Sequence, residues 1–356
     1  MVRITARYNN ISEPAIIVKE GEEIVLKNTT YIQDGSLASL ATYIVFKKNS
    51  VYYVRNGLTG KIEYNDTDVS TVINWVLSQL NNGGKVLLNL IGEHTITSTI
   101  QIEYDNIVIQ GLGTSTYLKL ANNVNDTLFK VTGNNVTIRN MYLDGNKNNQ
   151  SSGYIIELNG SLFSSILYCY IKYGYYDGIY ITGNGVTKII GNRIQGNGRH
   201  GIRFASGSDD SFVFYNDIGS NDSYGISVAT VGRIKIVGNN IYSNTIGVDL
   251  YTSLRCQVIA NYLHSSSINI RIYGSSADWG RENVIMSNEI TNGNGVRLSG
   301  YANRNVIAQN VIHDVSDGIK ELDNADYNLI LGNILRSYTT GITTIGTNTV
   351  SEHNIT

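Results

Sequence analysis

The chain has 356 residues, of which 42% are apolar and 16% charged, and its formal net charge is −2 at pH 7. This near-neutral balance argues against a nucleic-acid-binding protein, which normally carries a basic surface. No apolar run reaches the roughly 18 residues that a transmembrane helix needs. The two cysteines are too few for a disulfide framework or a metal cluster.

The first 65 residues differ in pattern from the rest of the chain. Residues 15–28, 42–57 and 59–66 alternate between apolar and polar side chains, as short strands do. Asn56-Gly57 is a typical hairpin turn. We expect a small β-rich N-terminal module over residues 1–65 that serves attachment or oligomerisation.

Residues 66–84 carry a helical pattern. Asp66 or Asp68 is positioned to cap the N-terminus of this helix, and Gly83-Gly84 to end it. The segment is expected to cover the exposed apolar end of the structure that follows it. The apolar positions at helical spacing are Val69, Val72, Ile73, Val76, Leu77 and Leu80.

A repeat of about 23 residues fills most of residues 85–356. One phrase, apolar-x-Asn-x-Ile/Leu, recurs at spacings of 21–27 residues, and a second, Gly-Ile/Val-x-apolar, lies between its copies. Two short strands per repeat predict one coil of a parallel β-solenoid, with the asparagines bonded into a column. Cys169 occupies an asparagine position, where we expect a small buried side chain. The asparagines are Asn192, Asn216, Asn239, Asn261, Asn288, Asn310, Asn333 and Asn354.

The stretch from Asp66 to Leu120 resembles the N-terminal signature of the pectate-lyase-like superfamily. That signature is a cap helix followed by Gly83-Gly84-Lys85-Val86 and then by the Ile-x-Ile-x-Gly-x-Gly sequence over residues 107–113. The usual proline after the first strand is missing. The resemblance implies an all-β fold, a right-handed parallel β-helix with an N-terminal cap helix. The superfamily holds polysaccharide lyases, hydrolases, epimerases, tailspikes and non-catalytic surface proteins, so function depends on the site.

Side chains at the x position of the second phrase should face solvent, because side chains alternate along a strand. Successive coils lie about 4.8 Å apart, so these residues should form one row. Tyr251 and Tyr273 follow on the same strands, and His200 and Tyr224 precede the glycine. In coil order the row contains Tyr180, Arg203, Ser227, Asp249, Arg271, Arg297, Lys320 and Thr343.

Arg271, Arg297 and Lys320 would stack as like charges in this row, which is unfavourable unless they are neutralised or bind an anion. One interpretation pairs Asp249 with Arg271 and lets Asp317, Glu321 and Asp323 neutralise the other two cations. The other interpretation is a groove for an anionic sugar chain. Its expected substrate-binding residues are Arg203, Asp249, Tyr251, Tyr273, Tyr224 and Trp279, the last in the loop over residues 274–282.

A lyase that acts on a uronic-acid chain needs a cation to neutralise the carboxylate, a base and an acid. The candidate base is Lys320 or Arg271, the neutralising group is Arg297, and the acid is His200 or Tyr251. The resemblance implies a Lys or Arg base and allows carboxylate-bound Ca²⁺ as a cofactor. A hydrolase needs two carboxylates within about 10 Å, and Asp249 has no acidic neighbour in the row.

The alternative function is glycan binding without cleavage, as in tailspikes and adhesins. The composition, poor in charge and cysteine, suits an extracellular, cell-surface or virion protein. The expected partner is a polysaccharide. The absence of a terminal helix after Asn354 also suggests a homo-oligomer, such as a trimer, or a further C-terminal domain.

Overall fold

The computed structural model describes residues 2–4, 16–18, 41–183 and 185–356. Most of the strands predicted before residue 41 lie outside the described residues. From residue 84 onward the chain winds as a parallel β-solenoid with three strand faces, here called A, B and C in the order in which each coil visits them. The turns between the faces are called the AB, BC and CA corners.

Face A is a single parallel sheet with one short strand from each of twelve coils. Its strands are β6 (Gly84–Asn89), β9 (Ile107–Gln110), β12 (Thr137–Arg139), β15 (Ser165–Leu167), β18 (Lys188–Ile190), β21 (Phe212–Phe214), β24 (Lys235–Val237), β27 (Gln257–Ile259), β29 (Val284–Met286), β31 (Val306–Ala308), β33 (Leu329–Leu331) and β35 (Val350–Glu352).

Faces B and C are separate in the first coils and join later. Face B contains β7 (Gly92–Ile96), β10 (Thr116–Leu120), β13 (Tyr142–Asp144), β16 (Tyr170–Lys172), β19 (Arg193–Gln195), β22 (Asp217–Gly219) and β25 (Asn240–Tyr242). Face C contains β8 (Ile100–Ile102), β11 (Phe129–Val131), β14 (Ile156–Asn159), β17 (Ile179–Thr182), β20 (Ile202–Phe204), β23 (Tyr224–Ala229) and β26 (Ile246–Tyr251). Long strands then cross both faces: β28 (Tyr262–Gly274), β30 (Glu289–Gly300), β32 (Val311–Glu321) and β34 (Ile334–Thr343).

The residues before the first coil extend face A. Strand β3 (Tyr43–Lys48) pairs in parallel with β6 and antiparallel with β4 (Val51–Asn56), which pairs with β5 (Ile62–Asp66). Strands β1 (Val2–Ile4) and β2 (Ile16–Val18) form an antiparallel pair. Residues 43–66 are thus continuous with the solenoid sheet, and a module bounded at residue 65 stays a prediction.

Helix α1 (Val69–Ser78) lies in the segment for which the sequence predicts a helix. The Asp68 carboxylate accepts a hydrogen bond from the Thr71 amide, 3.0 Å away, and thereby caps the helix. Val72, Ile73 and Val76 are fully buried, and Trp75 is partly buried. The helix contacts strands β3, β4, β5, β7 and β8. That it caps the first coil stays a prediction.

The core is a column of apolar side chains that point inward from all three faces. Ile202, Val248 and Ile270 are fully buried and Val296 is 2% exposed. The predicted alternation on face C is therefore confirmed, because a shift by one residue would have exposed these four side chains. The all-β fold, a parallel β-helix, is confirmed as well.

The predicted asparagine column lies at the AB corner. Each side chain accepts hydrogen bonds from the backbone N–H and the carboxamide of the asparagine one coil earlier, as Asn216 does from Asn192 at 2.8 and 3.0 Å. The column continues to its last pair, in which Asn333 Nδ2 donates to Asn354 Oδ1 at 3.0 Å. Cys169 is buried in the same column and donates its backbone N–H to Asn192 at 2.9 Å.

Two further asparagine ladders hold the other corners. Asn197 and Asn221 continue to a third asparagine, Asn244, at the BC corner, with carboxamide contacts of 2.8 and 3.1 Å. Asn283 and Asn305 lead to Asn328 at the CA corner, with contacts of 3.0 and 3.1 Å. All three corners therefore satisfy their buried turn backbone through stacked amides.

Candidate glycan-binding site

The outward side chains of face C form the predicted row. Tyr180 lies opposite Arg203 on the next coil, and the register continues coil by coil to Thr343. We call this set the face-C row: Tyr180, Arg203, Ser227, Asp249, Arg271, Arg297, Lys320 and Thr343. From Tyr180 to Lys320 it spans six coil steps, about 29 Å at the strand spacing of a sheet.

Asp249 and Arg271 form a bidentate ion pair within this row. Arg271 donates from Nε at 2.7 Å and from Nη2 at 2.9 Å, and it covers a carboxylate whose residue is 2% exposed. Burial raises the pKa of Asp249 and Arg271 opposes that rise. Burial alone would lower the pKa of Arg271, but the hydrogen bonds and negative charge of Asp249, together with Tyr224, outweigh burial and raise it. Arg271 therefore stays protonated, which does not suit a base.

The next two cations of the row have different surroundings. Lys320 Nζ lies 3.0 Å from Asp317 Oδ2. Glu321 is buried and accepts hydrogen bonds from turn residues, so it does not face the row. Asp323 accepts from the Gly300 amide at 3.0 Å. Over residues 41–183 and 185–356, no acidic oxygen lies within 4.0 Å of the guanidinium of Arg297, which leaves its charge available to an anion.

A second row lies at the edge of face C, where Asp177, His200 and Tyr224 each precede a glycine and Tyr154 occupies the same register on the coil before. The rings of His200 and Tyr224 stack with centroids 4.7 Å apart. The Tyr224 amide donates to His200 Nδ1 at 3.3 Å, which places the imidazole proton on Nε2. Burial, with the charges of two neighbouring arginines, lowers the pKa of His200 to about 3, so the ring is neutral.

Tyr224 links the two rows. Arg271 Nη2 donates to the Tyr224 hydroxyl at 3.5 Å, from two coils away. Arg203 lies on the coil of His200, and its guanidinium is 5.6 Å from the Tyr180 ring. We call His200, Arg203 and Tyr224 the near cluster. It contains a phenol, a neutral imidazole and a guanidinium on two adjacent coils.

Asp177 belongs to this edge row and is not among the site residues predicted from the sequence. The residue is fully buried, and its Oδ1 accepts from the His200 amide at 3.1 Å and lies 3.5 Å from Arg199 Nε. Its Oδ2 has no hydrogen-bond partner in the described part of the chain. Burial raises its pKa to about 6, against the opposing attraction of Arg199. Asp177, like His200, directly precedes the glycine of a Gly-Ile-x-apolar phrase. The sequence gives no signal that its side chain is buried.

Aromatic side chains lie beside the middle of the face-C row and at its first coil. Tyr251 and Tyr273 are parallel, with ring centroids 5.0 Å apart, and Tyr251 is 40% exposed. Trp279 is half-buried in the loop that follows β28. Tyr154 and Tyr180, where the row begins, stack with ring centroids 4.5 Å apart. Such rings provide apolar surfaces with a polar edge.

The four predicted catalytic residues do not converge on one point. His200 is three coils from Arg271 and five from Lys320, about 14 and 24 Å at the strand spacing. Arg297 and Lys320 are neighbours on adjacent coils. Lys320 Nζ also lies 3.0 Å from the carboxylate of Asp317. A single glycosidic bond therefore meets either the near cluster or the Arg297–Lys320 pair.

Among the residues that the structure describes, no three His, Cys, Asp or Glu side chains lie close enough together to hold a metal ion. Helix α1 is also much too short to cross a bilayer, and no other described helix is long and apolar enough. The expected Ca²⁺ stays a prediction of the family resemblance.

Comparison with known proteins supports the fold. The sequence profile described as "Right handed beta helix region" matches residues 114–279. Together with the coil geometry, this match shows a right-handed parallel β-helix, which is the fold that the resemblance to the pectate-lyase-like superfamily predicts. No curated protein sequence matches the chain significantly.

Solved structures of the same fold include polysaccharide-acting proteins. The chain is similar to the A-module of the Azotobacter vinelandii mannuronan C-5 epimerase AlgE6, with 17% identity, a TM-score of 0.67, and coverage of 81% of this chain and 95% of that one. It is also similar to the Dettilon tailspike protein, with 16% identity, a TM-score of 0.53, and coverage of 78% and 65%. DFA-IIIase from Arthrobacter chlorophenolicus A6, without its lid, matches with 12% identity, a TM-score of 0.56, and coverage of 78% and 96%.

Proposed function

We propose that this protein binds an acidic, uronic-acid-containing polysaccharide along the face-C row and cleaves it as a lyase. The observation that carries the proposal is the register of the row, which places Arg203, Arg271, Arg297 and Lys320 along one solvent-facing strip. Several cations along one strip, flanked by tyrosines, fit a chain that repeats a carboxylate and an apolar ring face. The proposed setting is extracellular or on a virion, where a trimer would present several such strips.

The near cluster is the proposed reaction centre. Arg203 and the Nε2–H of His200 would hold the uronate carboxylate and neutralise it, which acidifies the adjacent C5–H bond. The Tyr224 oxygen, which accepts from Arg271 at 3.5 Å, would take the C5 proton in the deprotonated form that this step requires. The C–H electron pair then forms the C4–C5 double bond, the C4–O bond breaks, and the leaving oxygen receives the proton from Tyr224.

Arg297 and Lys320 then serve as a binding subsite rather than as the reacting groups. Among the described residues no acidic group lies within 4.0 Å of the Arg297 guanidinium, whereas Lys320 shares its charge with Asp317 at 3.0 Å. Tyr251 and Tyr273 lie two coils and one coil before Arg297, respectively, and provide the stacking surface for the same subsite. This division of the row follows from the three to five coil steps that separate the two groups.

The test is incubation with a panel of polyuronates while the ultraviolet absorbance of an unsaturated product is recorded. Tyr224→Phe should abolish product and retain binding, while Tyr262→Phe, an exposed tyrosine on face B, should change neither. Arg297→Met should weaken polymer binding tenfold or more with an unchanged melting temperature. Full activity of Tyr224→Phe would contradict the proposed centre.

Binding without cleavage is the second candidate. It is favoured by the ion pairs that hold Arg271 and Lys320 at 2.7 and 3.0 Å from carboxylates, which suit fixed binding groups better than proton-transfer groups. The same panel separates the two functions. A polyuronate that is retained by the wild-type protein in a co-sedimentation assay, with no unsaturated product, would establish binding alone.

A further inference from the structure

A pocket of about 390 Å³ opens at the BC corner, beside the near cluster. Four successive corners build it, since Lys147 and Asn148 follow β13, Tyr175 and Tyr176 follow β16, Gly198 and Arg199 follow β19, and Asp222 follows β22. We call it the corner pocket. Its volume lies at the small end of the range for ligand sites, which suits one sugar residue rather than a chain.

An ion pair closes one side of the corner pocket. The turn after β13 is longer than its successors and contains a single helical turn over Lys147–Asn149. From it Lys147 Nζ reaches Asp222, three corners further on, at 3.1 and 3.3 Å from the two carboxylate oxygens. The lysine is 25% exposed at its side chain, so part of its charge faces solvent. This contact bridges the corners between and fixes the pocket's width.

Two aromatic walls and a backbone floor form the rest of the corner pocket. The rings of Tyr175 and Tyr176 meet edge to face with centroids 5.0 Å apart, and Tyr175 is 36% exposed. At Gly198 a Cβ atom would lie 2.1 Å from the Tyr175 carbonyl oxygen, so only glycine lets the corners approach this closely. Tyrosine faces of this kind pack against the C–H surface of a sugar ring.

Arg199 supplies the polar recognition group. Its guanidinium carbon lies 5.2 Å from the Tyr176 ring centroid, and its Nε lies 3.5 Å from the carboxylate of Asp177. In the described part of the chain, its side chain makes no other ion pair and donates no hydrogen bond. Asp177, fully buried behind it with one oxygen unpartnered, holds the guanidinium at the pocket wall. The terminal N–H groups are therefore available for a carboxylate, which they match in geometry.

We propose that the corner pocket binds a single hexuronate residue, with its ring on Tyr175 and Tyr176 and its carboxylate on Arg199. The lining carries Lys147 and Arg199 against one exposed acid, Asp222, so it favours an anionic sugar over a neutral one. This inference rests on the proposed function and extends it, because it adds a side subsite next to the near cluster. It implies a glycan that either carries a uronate branch or places one uronate of its main chain outside the face-C row.

The proposal is tested by titration with methyl glucuronide, with ligand-observed NMR as the readout. Methyl glucoside is the neutral comparison. The wild-type protein should bind the glucuronide at least tenfold more tightly than the glucoside. Arg199→Met should remove that preference, and Tyr175→Ala should weaken both sugars tenfold or more. The matched control is Arg193→Met, because Arg193 also lies over a tyrosine ring and pairs with an aspartate, but on face B.

Equal binding of the two sugars, or unchanged binding by Arg199→Met, would overturn the proposal. Melting temperatures identify any variant that has lost its fold, and Tyr175→Ala keeps the test decisive if Arg199→Met unfolds, since Tyr175 is exposed. The outcome is separable from that of the proposed function. Cleavage of a polyuronate without glucuronide binding would contradict only the proposed ligand of the corner pocket. Glucuronide binding without any action on polymers would contradict only the proposed lyase activity.

Discussion

Replacement of Asn261 by alanine should strongly destabilise the solenoid. Its Oδ1 accepts from both nitrogens of Asn239 at 2.9 Å, and its Nδ2 donates to Ile236, Ile259 and Asn288 at 2.9, 3.1 and 3.0 Å. Each buried hydrogen bond contributes about 1 kcal/mol, and a buried donor left without an acceptor costs about 1–3 kcal/mol. Because the five contacts share atoms, we expect a loss of about 3–5 kcal/mol in the free energy of unfolding.

Equilibrium denaturation in urea measures this loss. The matched control is Asn240→Ala, one coil earlier on face B, where the side chain is half-buried and donates a single bond to Asp217 at 3.2 Å. It should cost about 1 kcal/mol or less. If Asn261→Ala were no more destabilising than Asn240→Ala, the column would be a by-product of the turn geometry rather than a source of stability.

Three more predictions concern buried ionisable groups. Arg271→Met should destabilise the protein by about 3–5 kcal/mol, since it leaves Asp249 buried and unpaired, and adding Asp249→Leu should restore most of the loss in the same urea titration. The pKa of Asp177 is raised by burial to about 6, so its contribution to stability is fully present below about pH 4 and is lost as the pH rises through 6. The melting temperature of Asp177→Asn should therefore fall less than that of the wild type over this range, and parallel curves would refute the assignment. Burial raises the pKa of the Cys169 and Cys256 thiols to about 12. Both should resist a thiol reagent at pH 8 until denaturant is added, and rapid native labelling would contradict their burial.

The sequence was sufficient for the coil architecture because the repeat encodes it twice. Alternation in the Gly-Ile/Val-x-apolar phrase places Arg203 and Arg297 in one outward row, and the asparagine spacing locates the AB corner. The BC ladder was equally legible, since Asn197, Asn221 and Asn244 recur at 24 and 23 residues. This ladder was not predicted, because it extends over three coils only, whereas the AB column has eight asparagines.

The site was less predictable because it depends on which side chains cover others. Nothing in the sequence distinguishes an outward aspartate in solvent from Asp249, which lies under Arg271 and is 2% exposed. Of the two interpretations of the cation row, the structure contains the Asp249–Arg271 pair and adds Lys320–Asp317, but it leaves Arg297 without an acidic neighbour among the described residues. The corner pocket depends on the length of the turn that carries Lys147, which a repeat pattern does not encode.

The ladder geometry makes one coil a unit that evolution can add or delete. Removing residues 239–260 would take out one full turn, and Asn216 would then face Asn261, which offers the same amide to the same partners. The core would close without a mismatch because inward residues of neighbouring coils are interchangeable. On the surface, however, Ser227 would become the neighbour of Arg271, and the strip would shorten by about 4.8 Å. Gene duplication or loss within such a repeat can therefore change the length of sugar chain that is held while it leaves folding intact.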